Sequence, residues 1–227
     1  MRVLLAVACA VALTACQKPA EVPVSVAVAP APAVVPVSVP APSKAVGTVP
    51  TKALQYRSML VREGQFVFGL DAPIAAMAGQ IHQESGWRAD VTAYDDGRGL
   101  AQFMDATAAM VSKAFPDLGA PDPYNPRWAI RALARYDSWL LARVHGKNEC
   151  EKWGAALKGY NGGIGYVNRA EKQSSNPGLW FNVTEWINAG QGAKNFEYSR
   201  TYPHKVLFKH QPIYADWGRM VCDGVKP

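Results

Sequence analysis

The 227-residue chain has little that could hold a metal. It contains four histidines and four cysteines, and His82, His145, His204 and His210 show no ligand spacing with cysteines or acids. No metal site and no cofactor are therefore expected. Gly162, Gly163 and Gly165 follow no strand, which excludes a phosphate-binding loop; they are expected to turn the backbone. A Lys/Arg run is also missing, although 24 basic residues outnumber 18 acidic ones for a formal charge of +6 and a pI near 9.2. A mild surplus without a cluster speaks against nucleic acid as partner. There is no βαβ alternation and no run of strands. The expected class is all-α, with at most a minor β element.

What stands first is an export pattern. Residues 1–15, MRVLLAVACAVALTA, carry one arginine, an apolar run and small residues at its end. The run falls short of the roughly 20 apolar residues of a comfortable membrane span. Leu13-Thr14-Ala15-Cys16 resembles the bacterial lipoprotein box. That resemblance implies cleavage before Cys16 and acylation of its thiol, and several chains on one residue anchor stably. An ordinary signal that happens to contain Cys16 is the alternative. Gln17 follows where an aspartate would suggest retention in the inner membrane. The expected location is thus the periplasmic face of the outer membrane. Cys9 leaves with the leader, so Cys150 and Cys222 remain as an even pair in an oxidising compartment. A disulfide across this long loop would contribute ~2–4 kcal/mol; two buried free thiols are the alternative.

Residues 17–50 hold eight prolines among Ala, Val and Ser, and repeat VPVSV at 22–26 and 35–39. Such a segment cannot bury a core and reads as an extended spacer reaching at most about 100 Å. A folded domain is expected over 51–227. Asp71 is a plausible N-cap with Pro73 just inside, ahead of Ile74, Met77, Ala78 and Ile81 at helical spacing. Residues 85–104 break that period and predict a loop or small hairpin. Asp105 is read as the cap of a helix over 106–115. The longest periodic segment, 125–144, puts Trp128, Leu133, Tyr136, Leu140 and Val144 on one stripe. Shorter helices are expected at 150–160, 163–172 and 183–189, and a last one from about 196, kinked or split at Pro203.

Glu84 in IHQESGW lies three residues after Ile81 and ten after Ile74, on the apolar face of its helix. An inward carboxylate near Trp87 and at a helix C-terminus should have a raised pKa, which suits a general acid. A buried structural pair with an arginine is the alternative. Further blocks follow. Glu84-Ser85-Gly86-Trp87, then Gly99-Leu100-Ala101-Gln102-Phe103-Met104 with Thr107-Ala108, then Gly159-Tyr160-Asn161-Gly162-Gly163, then EYSRTYPHKVL at 197–207, stand in this order. Together they resemble the soluble lytic transglycosylase family, with its E-S-x-F/W, G-L-M-Q-L-M-P-x-T-A, A-Y-N-A-G and E-T-R-x-Y-x-x-K-V-L blocks.

The resemblance implies a lysozyme-like, goose-type helical domain. It implies cleavage of the β-1,4 bond between N-acetylmuramic acid and N-acetylglucosamine in peptidoglycan, with a 1,6-anhydro product. Glu84 matches the acid/base and Ser85 its neighbour. Gln102, Met104, Tyr160 and Asn161 match groove-lining residues, Glu197 and Tyr202 match the pair in the last block, and all six together with Ser85 are expected to contact substrate. Ala101 and Asp105 depart from the pattern. The implied partners are glycan strands, a membrane through the lipid on Cys16, and an envelope-spanning or lysis machine. Two rivals remain. One is a hydrolytic, goose-type-like lysozyme using Glu84 with Asp95 or Asp96, although these and Asp105 also suit turns and caps. The other is a peptidoglycan-binding lipoprotein without catalysis. Trp180, Phe181, Trp186 and Tyr198 have the faces to stack on sugars, but aromatics at helical spacing more often fill a core.

Overall fold

A helix that is apolar or small on almost every side belongs inside a domain. Residues 74–81 have that composition, and in the computed structural model, which describes residues 47–224, they are all buried. The leader, Cys16 and the spacer up to residue 46 lie outside the described residues. The helices are α1 (Thr51–Leu54), α2 (Arg57–Phe68), α3 (Ile74–Ser85), α4 (Asp105–Ala114), α5 (Pro126–Leu141), α6 (Glu149–Gly162), α7 (Ile164–Gln173) and α8 (Ala193–His204). A π-helical stretch, Lys205–His210, and a 3₁₀ stretch, Gln211–Trp217, continue α8.

These last two stretches pack along one side of α3, and α2 packs on α3 and α5. The approach behind α3 is so close that a Cβ on Gly79 would lie 2.7 Å from the Gln211 nitrogen. Only glycine allows two backbones to meet this way. Helices α5, α6 and α8 pack in succession. Glu63 of α2 is buried and pairs with Arg131 of α5 at 3.0 Å. Cys150, in the first turn of α6, is bonded to Cys222. Next to this bridge Arg219 pairs with Glu149 at 2.6 Å and with Asp71 at 2.9 Å.

Most of the sequence-predicted elements are present, with four corrections. Asp71 caps nothing: Pro73 holds the N-cap position of α3, and Arg219 takes the Asp71 carboxylate. Asp105 is the first residue of α4 rather than its cap, because its side chain turns to Arg98. Helix α5 starts at Pro126 behind Asn125, whose side chain accepts from the Arg127 N–H at 3.0 Å. It ends at Leu141, so buried Val144 lies beyond the helix. The helix expected over 183–189 shrinks to a 3₁₀ turn at Thr184–Trp186. Pro203 sits one residue before the end of α8, and the chain widens into the π stretch directly after it. A proline has no N–H for the ladder, so a change of helix type there is understandable.

Between α3 and α4, isolated antiparallel bridges pair Thr92 with Arg98 and Arg98 with Phe103. This is the minor β element. Gly99 anchors it with φ +69, and a Cβ there would fall 1.9 Å from the Pro123 carbonyl oxygen. The loop brings residues 93–104 over the end of α3.

Candidate active site

Helix α3 stops because Gly86 takes the left-handed conformation at its C-cap, φ 56. Glu84 is therefore in the last turn, with its carboxyl on the wall of a cleft of about 360 Å³. The residue is half-buried there. Tyr202 of α8 donates its hydroxyl to Glu84 Oε1. Tyr202 is only 1 % exposed, so its ring does not line the groove. Its role is to hold the carboxyl. The Tyr160 ring lies parallel to it, with centroids 6.5 Å apart. The Tyr160 hydroxyl donates to the Ala101 carbonyl at 2.7 Å, and so it does not orient Glu84 directly.

The other expected residues divide. Gln102, Met104, Tyr160 and Asn161 line the same cleft as Glu84. Gln102 reaches it on a left-handed backbone, φ 50, while its amide donates to the Gly99 carbonyl at 2.7 Å. Ser85 lies elsewhere: it is buried, and its hydroxyl accepts the Arg88 N–H at 3.2 Å, fastening the turn after α3. Glu197 lines a second hollow of about 680 Å³ that adjoins the cleft. It pairs with Arg200 at 2.6 Å, and that bond holds its carboxyl below the usual range. Asp95 stands on the rim shared by both hollows. Asp96 occupies a left-handed turn position, φ 68, outside the lining of either. Trp87, expected as a wall for Glu84, instead donates to the Tyr214 hydroxyl at 2.6 Å and packs against Trp217 and Tyr56. Trp180 and Phe181 are core. Trp186 is exposed with Arg200 over its ring, and Tyr198 lines both hollows. Among the described residues no group of three His, Cys, Asp or Glu is placed to hold a metal.

Burial pushes the Glu84 carboxyl up to about 8, the Tyr202 hydrogen bond pulling against that and the Asp95 charge adding to it. A carboxyl in this state is a proton donor at neutral pH. Asp137 of α5 is a second buried acid nearby that the sequence reading missed. Burial raises it well above the usual value, its hydrogen bond from Gln80 opposes this, and Glu84 adds to it. Gln80 Nε2 donates to Asp137 Oδ1 at 3.2 Å, while Asp137 Oδ2 and Gln80 Oε1 have no partner. Tyr94, exposed on the shared rim, was missed as well. A signal for Asp137 existed: it falls four residues after Leu133 and three before Leu140, on the apolar stripe of α5.

A family model described as a transglycosylase SLT domain matches residues 73–181. The match contains Glu84, Gln102, Tyr160 and Asn161 and stops short of Glu197 and Tyr202. No curated protein matches the chain. Among solved structures, an inactive glutamate-to-glutamine mutant of the lytic transglycosylase Slt from Pseudomonas aeruginosa is similar, at 22% identity and a TM-score of 0.55. The likeness covers 75% of this chain and 26% of that one. The 70 kDa soluble lytic transglycosylase from Escherichia coli is similar at 22% identity and a TM-score of 0.49, over 73% of this chain and 27% of that one. The chain thus spans about a quarter of the length of either protein. The first likeness gives the fold, a helical lysozyme-like domain.

Proposed function

We propose that the protein cleaves peptidoglycan glycan strands as a lytic transglycosylase, with Glu84 as its single acid/base; the match of residues 73–181 to a family model described as a transglycosylase SLT domain supports this. The observation that carries this reading is the Glu84 carboxyl itself, kept proton-rich on the cleft wall and held by buried Tyr202. Glu84 gives its proton to the glycosidic oxygen, and the bond from that oxygen to C1 of the muramic acid breaks. The 6-hydroxyl of the same sugar attacks C1, and its proton passes to the Glu84 carboxylate. The product is a 1,6-anhydro sugar, no water is consumed, and Glu84 ends as it began. An ordinary glycosidase needs a second carboxylate as nucleophile or to activate water; here the substrate supplies the nucleophile. Gln102, Met104 and Asn161 line the cleft beside Glu84, which supports their contact with the strand. Cys16 as a lipid anchor on the periplasmic face of the outer membrane, with a machine of the envelope as partner, completes the proposal.

The position of Asp95 on the rim favours a second reading, in which it holds a water and the reaction is hydrolysis. Mass spectrometry of muropeptides released from purified sacculi separates the two. The expected products carry anhydro ends, unchanged in kind by Asp95→Asn. Mainly reducing muramic acid, lost on that substitution, would overturn the lyase chemistry. A silent, strand-binding protein would release nothing.

The pH profile gives a further expected result. Since the working form of Glu84 is protonated, kcat/KM should hold on the acid side and fall above about pH 8. The Tyr202 hydroxyl favours the ionised carboxyl. Tyr202→Phe should therefore move the falling limb to higher pH, and lower kcat about tenfold through lost orientation. A limb that stays in place would show that Tyr202 does not act on Glu84.

A further inference from the structure

Behind the wall of the second hollow lies a cation with no carboxylate beside it. Lys158 of α6 is 3 % exposed. Its ammonium donates to Ser199 Oγ at 2.7 Å and to Gln191 Oε1, both neutral. Phe196 lies with its ring 5.5 Å away. Burial draws the Lys158 pKa down to about 8, and no nearby acid offsets it. An ammonium buried among neutral partners is costly to the fold. It is also absent from the chemistry assigned to Glu84.

The groups around this ammonium form the wall of the hollow. Gln191, Ser199 and Gly162 all line it. Gly162 has no room for a side chain: a Cβ would lie 2.9 Å from Ser199 Oγ and 3.0 Å from Lys158 Nζ. Gln191 is oriented at both ends, since its Oε1 accepts from Lys158 and one of its Nε2 hydrogens goes to the Gly162 carbonyl at 3.2 Å. That leaves its second amide hydrogen uncommitted. The other charges of the hollow do not cancel Lys158. Glu197 is taken by Arg200, Lys194 adds a further cation, and Asp95 stands on the rim shared with the cleft of Glu84.

A glycan of N-acetylated sugars has no free carboxylate where the lactyl group of muramic acid is amide-linked to a peptide. The negative charge on such a strand is carried by the peptide. The geometry points to the second hollow as an anion subsite, in which Lys158, acting through the free amide hydrogen of Gln191, receives a carboxylate of the peptide borne by the strand under cleavage. This inference rests on the reading of Glu84 as a peptidoglycan-cleaving residue. It adds that the enzyme distinguishes strands by the charge of their peptides.

The test uses peptide-bearing strands and the same strands with their carboxylates converted to amides. On amidation, KM of the native protein should rise about tenfold with kcat nearly unchanged, as for loss of a desolvated charge contact. Lys158→Met keeps the buried stem and removes the charge; its KM should be about tenfold higher on native strands and rise no further on amidated ones. Gln191→Ala, at the wall, should show the same pattern more weakly and covers the case in which Lys158→Met fails to fold. Binding of both strand types to Glu84→Gln repeats the comparison without turnover. Indifference of the native protein to amidation, or an equal loss in Lys158→Met on both strands, overturns the subsite. Discrimination in binding with no anhydro product from either strand keeps the subsite and removes the lyase reading instead.

Discussion

Glu84→Gln should lower turnover of purified cell wall at least about 1000-fold, while binding of strands stays within about twofold of native. The estimate follows from the usual 10²–10⁴-fold worth of a positioned general acid or base, taken where one group serves in both directions. Glutamine keeps the shape, and the Tyr202 hydroxyl can still donate to the amide oxygen. What it lacks is the proton. Assay of released muropeptides beside a sedimentation binding assay checks the outcome, and unchanged release would remove Glu84 from the chemistry. The same variant carries a stability signature. In the folded protein Glu84 sits at about 8 rather than 4.5, so the fold favours its protonated form. The stability belonging to that form is full below about pH 4.5 and is lost as pH rises through about 8. Glutamine mimics the protonated form at every pH. Melting curves should therefore nearly coincide at pH 5, with Glu84→Gln the more stable at pH 9. An equal difference at both values would refute the raised pKa.

Opening the Cys150–Cys222 bridge should cost the domain about 4 kcal/mol. The two cysteines are 72 residues apart, and a loop of that length gives this figure when the bridge is counted as a limit on the unfolded chain. The Cys150→Ala, Cys222→Ala double variant should show it as a lower urea midpoint with little change in native-state activity at low temperature. An unchanged midpoint would show that the pairs of Arg219 with Glu149 and Asp71 already hold that end of the chain.

The parts of the site legible in the sequence are those fixed by local chain. Glu84 with its Gly86 stop, Gln102 in its turn and Tyr160-Asn161 at the end of α6 each sit where short-range constraints and recognisable blocks coincide. The phase of α3 placed Glu84 inward, and the long stripe of α5 located a core helix to within a few residues. Other features depend on partners far along the chain. Asp71 and Asp105 look like caps, but Arg219 and Arg98 compete for them, and a strong ion-pair partner overrides a local hydrogen bond. Tyr202 reads as a groove residue until α8 is seen to bury its ring and leave only its hydroxyl at Glu84. Lys158 was invisible for another reason. Residues 153–159 of α6 are buried on every side, so no periodicity marks one of them as the exception.

The close backbone approach at Gly79 has a consequence in time as well as in space. Residues 205–217 pack along α3, and Tyr202 reaches Glu84 from the segment just before them. A chain made from its N-terminus has its acid first and the clamp for that acid 118 residues later. Until residues 202–217 have been made, α3 lacks one wall and Glu84 lacks its holder. Pairings this distant in sequence are also among the slower to form, so the site is completed after the helix that bears its acid.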